Sequence, residues 1–162
     1  MILGLSTETF TMIHVVISLI GILAGLAVLA AMLGARTAPG LTALFLATTV
    51  ATSVTGFLFH SPAFGPPHVI GLISLVVLAA ALYALYGGRL AGFWRPAYVV
   101  TALLALYLNV FVGIVQAFQK LPALAALAPT QSEPPFLIAQ LATLALFLVL
   151  GFFSLRRFHP AP

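Results

Sequence analysis

The chain of 162 residues contains no cysteine and no aspartate, and only 5% of it is charged. Without cysteine there are no disulfides, no thiolate metal ligands and no thiol chemistry. Without aspartate a Ser–His–Asp triad is excluded, and only Glu8 and Glu133 could stand in for the acid. No short window pairs two carboxylates, and neither a P-loop nor a dinucleotide-type glycine pattern occurs. The shortage of charge is itself diagnostic. A soluble domain carries about 25% charged residues, so this chain lacks the polar side chains needed to cover a water-soluble globule.

What fills the chain instead is apolar: 63% of its residues, in long blocks. Since a bilayer core takes roughly 20 apolar residues of helix, the blocks predict five transmembrane helices in a single domain spanning 1–162. Their expected boundaries are Phe10–Leu33, Leu41–Phe59, His68–Tyr86, Ala97–Phe118 and Phe136–Leu155. Runs of this length in lipid mean helices and not barrel strands. The expected fold is an all-α integral membrane protein, a four-helix bundle with a fifth helix alongside. Prolines punctuate the breaks: Pro39 after span one, Pro66-Pro67 before span three, Pro96 before span four and Pro134-Pro135 before span five. The segment "LPALAALAP" reads as a short interfacial helix, and Glu133 suits the positive N-terminus of span five.

Orientation follows from the cations. Arg36, Arg89, Arg95, Arg156 and Arg157 fall on one side of a five-span zigzag, while Lys120, Glu8 and Glu133 fall on the other. The positive-inside rule places the arginines in the cytoplasm of a bacterial-type inner membrane, with the N-terminus outside and the C-terminus inside. The first ten residues lack a basic region and carry Glu8, so no cleavable signal peptide is expected. The formal charge of +4 is spread singly or in pairs between apolar runs, a topological pattern and not a nucleic-acid footprint. "HVVISLIGIL" at His14 resembles "HVIGLISLVV" at His68, and "GAR" ending at Arg36 resembles "GGR" ending at Arg89. Spans one and two are either duplicated as spans three and four in parallel orientation, or alike because apolar segments resemble one another.

The polar groups gather toward the outer face. His14 lies just inside span one, His60 ends span two and His68 begins span three. Helical spacing places His14, Ser18, Gly21 and Gly25 on one stripe, Thr49, Ser53, Gly56 and His60 on another, and Asn109, Gly113, Gln116 and Lys120 on a third. Small and hydroxyl side chains at such positions ordinarily serve helix packing, and Asn109 reads first as a satisfied interhelical hydrogen bond. An ionisable group inside a span points to function. Four readings follow.

A transition metal such as zinc or copper could be held by His14, His68, His60 and Glu133. A haem b could take His14 and His68 as axial ligands, with Ser18, Gly21 and Gly71 leaving room for the macrocycle and Gln116 and Gln140 as outer partners. That version suits electron transfer with a quinone. Alternatively, the chain is a non-catalytic subunit or assembly factor of a larger membrane complex, or a homo-oligomer, with its histidines bonded at helix interfaces. The last reading is binding or transport of a small lipophilic molecule entering from the bilayer. A proton or ion path fits poorly, because between Ser74 and Arg89 only Tyr83 and Tyr86 are polar.

Overall fold

The computed structural model describes residues 1–60 and 63–160. Six α-helices follow in order: α1 (Thr7–Leu33), α2 (Pro39–Gly56), α3 (Pro66–Leu82), α4 (Trp94–Lys120), the short α5 (Pro122–Leu127) and α6 (Pro134–Arg157). Among the described residues the only other pairing is a single bridge between Ile2 and Leu5.

Helix starts follow local chemistry. The Ser6 hydroxyl accepts the Thr9 N–H at 3.1 Å and caps α1, satisfying one of the donors a first turn leaves over. Proline occupies the first turn of α2, α3, α5 and α6, where its missing N–H costs nothing. The helix within "LPALAALAP" is α5. The third helix departs from expectation. It does not continue as α-helix to Tyr86 but widens into a π-helical segment, Tyr83–Gly87. Glycines stand at its end and just beyond, Gly87 and Gly88. Any side chain on Gly88 would meet the Trp94 indole, since a Cβ there would lie 2.3 Å from its Cγ. The indole packs edge-on to Tyr83 at 4.8 Å between ring centres. The connection to α4 then passes through left-handed backbone at Arg89, Leu90 and Gly92.

Packing places α4 at the centre. It touches α1, α2, α3, α5 and α6, while α1–α2, α2–α3, α3–α4 and α4–α1 contacts close a four-helix ring and α6 lies against α4 and α1. The core joins Val28, Leu29 and Met32 of α1, Phe45 and Leu46 of α2, Leu78 and Ala81 of α3, and Tyr98, Ala102, Ala105 and Leu106 of α4. The outward faces are apolar as well: Leu23, Val76, Leu141 and Leu148 are all exposed. A helix hydrophobic on every side needs an apolar surrounding. Among the described residues, four helices are long and apolar enough to cross a membrane: Thr7–Leu33, Pro66–Gly87, Trp94–Lys120 and Pro134–Arg157. Helix α2 is shorter, at 18 residues, and its apolar content is diluted by Thr42, Thr48, Thr49, Thr52, Ser53 and Thr55.

The alternation of helix directions creates two ends. At one, the C-terminal ends of α1, α6 and the π-helical segment meet the starts of α2 and α4; all five arginines lie there. Arg95 donates from Nη1 to the carbonyls of Leu155 at 3.0 Å and Phe158 at 2.9 Å, capping α6. Arg157 donates to the Leu33 carbonyl at the end of α1. Cations suit the negative C-terminal end of a helix. The other end carries Glu8, Lys120 and Glu133.

The tightest crossing is at Gly25. A Cβ there would lie 2.5 Å from Leu106 Cδ1 and 2.9 Å from the Phe45 ring, both in fully buried side chains. Gly25→Val should therefore lose about 1–3 kcal/mol through overpacking. Gly40→Ala, with open space around it, should be neutral or gain up to about 1 kcal/mol of helix propensity. Denaturation in detergent micelles checks both, and a Gly25→Val protein as stable as the parent would contradict the assigned packing.

Candidate functional site

At the glutamate end, His14 projects from α1 toward α2. Its Nδ1 lies 2.7 Å from Thr55 Oγ1, and its ring packs edge-on to Phe59 at 5.1 Å. The Thr55 hydroxyl donates to the Ala51 carbonyl, also at 2.7 Å. A hydroxyl has one hydrogen, so the bond is closed by His14 Nδ1–H and the lone pair stays on Nε2. The Lys120 ammonium lies within electrostatic reach of this ring.

His68 is built differently. It sits in the first turn of α3 and its Nδ1 accepts the Gly65 N–H at 3.1 Å, returning the helix cap to the backbone before it. Phe64 stacks on one side at 5.1 Å and Phe57 lies tilted at 5.9 Å. A backbone N–H is always the donor, so the neutral ring carries its hydrogen on Nε2 and has no lone pair left for a metal. Among the described residues no hydrogen bond or ring contact joins His14 to His68.

The space expected beside them for a macrocycle is filled. A Cβ on Gly71 would meet the Phe57 ring at 3.0 Å, and one on Gly21 would meet Thr48 Oγ1, Asn109 Nδ2 and Thr49 Oγ1 at 3.1–3.3 Å. Ser18 spends its hydroxyl on the His14 carbonyl. In this arrangement His14 and His68 do not fit as paired axial ligands of a haem. His60 is exposed just beyond α2, and Gln116 is exposed on α4. The Glu133 carboxylate accepts from the Thr130 hydroxyl at 2.8 Å and from the backbone N–H groups of Thr130 and Ser132. The Thr130 hydroxyl bond holds this carboxyl below the usual carboxylate range. No three His, Glu, Asp or Cys side chains among the described residues are grouped to hold a metal ion.

Deeper in the bundle, the Asn109 amide departs from the expected satisfied bond. It is buried with no partner for Nδ2, beside Thr48 and Thr49, whose hydroxyls bond back to the Leu44 and Phe45 carbonyls. Gln140 donates to the Phe111 carbonyl at 3.2 Å, and its Oε1 is buried without a partner.

The arginine end holds what the sequence reading did not single out, a pocket of about 290 Å³. Its walls are mostly apolar, with Val28, Met32, Leu85, Leu90 and Phe158 prominent, and Arg36 stands among the lining residues. Thr42 and Tyr98 add two buried, hydroxyl-bearing side chains to the lining. The Tyr86 ring also lines a second, apolar groove between α2 and α3, formed by Ala43, Leu46, Ala47, Val50 and Leu82. Ligand sites are typically mostly apolar pockets of about 300–1,000 Å³ with a few convergent polar groups.

No family model matches this chain, and neither a curated protein nor a solved structure matches it. The pocket's chemistry therefore stands on its own residues. In the sequence Arg36 is marked only as a topological cation. The signal that could have found it is the absence of any acidic side chain on its side of the chain.

Proposed function

We propose that this chain is a five-span membrane protein that binds a small lipophilic molecule in the pocket at its arginine end. The observation that carries the reading is that pocket, mostly apolar in its walls and bordered at Tyr86 by a second apolar groove between α2 and α3. Two further features favour it. The π-helical segment that supplies Leu85 and Tyr86 is a form often found at functional sites. Left-handed, non-glycine backbone occurs at Ala35, Arg89 and Leu90 around the same rim, a strain that clusters at ligand sites.

In this reading α2 is the fifth span. Its 18 residues cover about 27 Å at 1.5 Å per residue. Its hydroxyls are admissible in a bilayer because Thr48, Thr49, Thr52, Ser53 and Thr55 each bond to a carbonyl of their own helix. The arginine end faces the cytoplasm. Because the chain has no cysteine, the span count is directly measurable with single cysteines and an impermeant maleimide. Thr7→Cys should label in intact cells and His159→Cys only after lysis; labelling of both from one side would mean that α2 does not cross.

Ligand binding is tested by thermal denaturation in mild detergent with palmitate, hexadecanol and a prenylquinone. At a hundredfold excess over Kd, bound ligand stabilises by about 2.7 kcal/mol, so at least one should raise the midpoint. Ala43→Trp, which fills the α2–α3 groove from an exposed position, should abolish the rise. No shift from any of the three, or equal shifts in Ala43→Trp, would overturn the reading. A Soret band or stoichiometric metal in the purified protein, lost in His14→Ala, would move the function to the glutamate end, where His14 Nε2 keeps its lone pair.

A further inference from the structure

Five arginines lie at one end, and the structure shows partners for three of them. Arg95 and Arg157 are bonded to helix-terminal carbonyls. Arg156 and Arg157 stand over the rings of Phe152 and Phe153 at 5.3 and 5.9 Å. Arg36 and Arg89 have neither kind of partner among the described residues, and of the two Arg36 lines the pocket. Both glutamates of the chain are at the opposite end.

The pocket and the α2–α3 groove are neighbours. Thr42, Tyr98 and Tyr86 line the pocket, and Tyr86 also borders the groove, with Ala43, Ala47 and Val50 along it. Alanines at positions 43 and 47 share one face of α2, and both are exposed. From Pro39 to Val50 the lining residues of α2 span about 16 Å, the scale of one extended acyl chain.

We infer that the pocket and groove form a binding site for an amphiphile with a single acyl chain and a carboxylate head, with the head on Arg36 and the tail in the α2–α3 groove. This rests on the lipophile-binding reading and adds the chemical class. A guanidinium offers a planar fork of N–H donors that matches a carboxylate in bidentate fashion.

The chain supplies its own reporter, since Trp94 is the only tryptophan and packs on Tyr83 at the start of the π-helical segment. Quenching of Trp94 is titrated with dibromostearate, with the matching brominated fatty alcohol, and with brominated diacyl phosphatidylglycerol, on detergent-solubilised protein. The inference expects saturable quenching by dibromostearate, at least about tenfold weaker in Arg36→Gln and largely retained in Arg36→Lys. The alcohol should bind weakly and equally to all three proteins. Gel filtration and circular dichroism confirm that each variant is folded.

If acid and alcohol bind alike and Arg36→Gln changes nothing, the carboxylate assignment fails while lipophile binding stands. Saturable quenching by phosphatidylglycerol alone overturns the single-chain carboxylate in favour of a membrane phospholipid. Should no probe quench saturably, or Ala43→Phe, which fills the groove without adding a second tryptophan, leave quenching intact, both the inference and the reading beneath it fail.

Discussion

In a hydrocarbon surrounding, a hydrogen-bonding group that cannot reach water must find its partner inside the protein. This single constraint organises the molecule. Hydroxyls along α2 turn back to their own carbonyls, and the Ser6 hydroxyl and the His68 imidazole close helix starts. Arg95 and Arg157 close helix ends. The few groups that escape the rule are then conspicuous. Asn109 Nδ2, Gln140 Oε1 and the Ser154 hydroxyl are buried without partners, and Arg36, in the pocket lining, has no anionic partner among the described residues.

The same constraint explains which candidates lose their chemical freedom. A histidine that accepts a backbone N–H is committed to one tautomer, and His68 is such a case. His14 differs because the Thr55 hydroxyl accepts a hydrogen bond from its Nδ1–H, and a free lone pair survives on Nε2. Two histidines that look equivalent in sequence thus have opposite capacities as ligands. The difference lies in whether the partner is a hydroxyl from a neighbouring helix or a backbone amide three residues away.

Much of the architecture could be read from the chain. Apolar block lengths and proline punctuation located every long helix to within a few residues, because both act locally. Gly88 under Trp94 and the π-helical segment before it were not legible, since they depend on a contact formed only after α4 folds back onto the end of α3. The stripes of small and polar residues did mark real faces. Gly21 does meet Thr48, Thr49 and Asn109, but as close packing and not as vacant space. The pocket at the arginine end was invisible for a related reason. Its lining comes from four separate helical segments and the chain beyond α6, and no local pattern encodes such a convergence.

If the partner accounting is right, Arg36 and Arg95 must behave as opposites in the absence of added ligand. Side-chain ¹⁵N NMR of the guanidinium N–H groups in detergent measures this directly through exchange with water. The account predicts slow exchange for Arg95, fast exchange for Arg36, and slowing of Arg36 alone when a long-chain carboxylate is added. Arg36 as protected as Arg95 in the ligand-free protein would contradict it, since Arg36 would then have a partner within the chain.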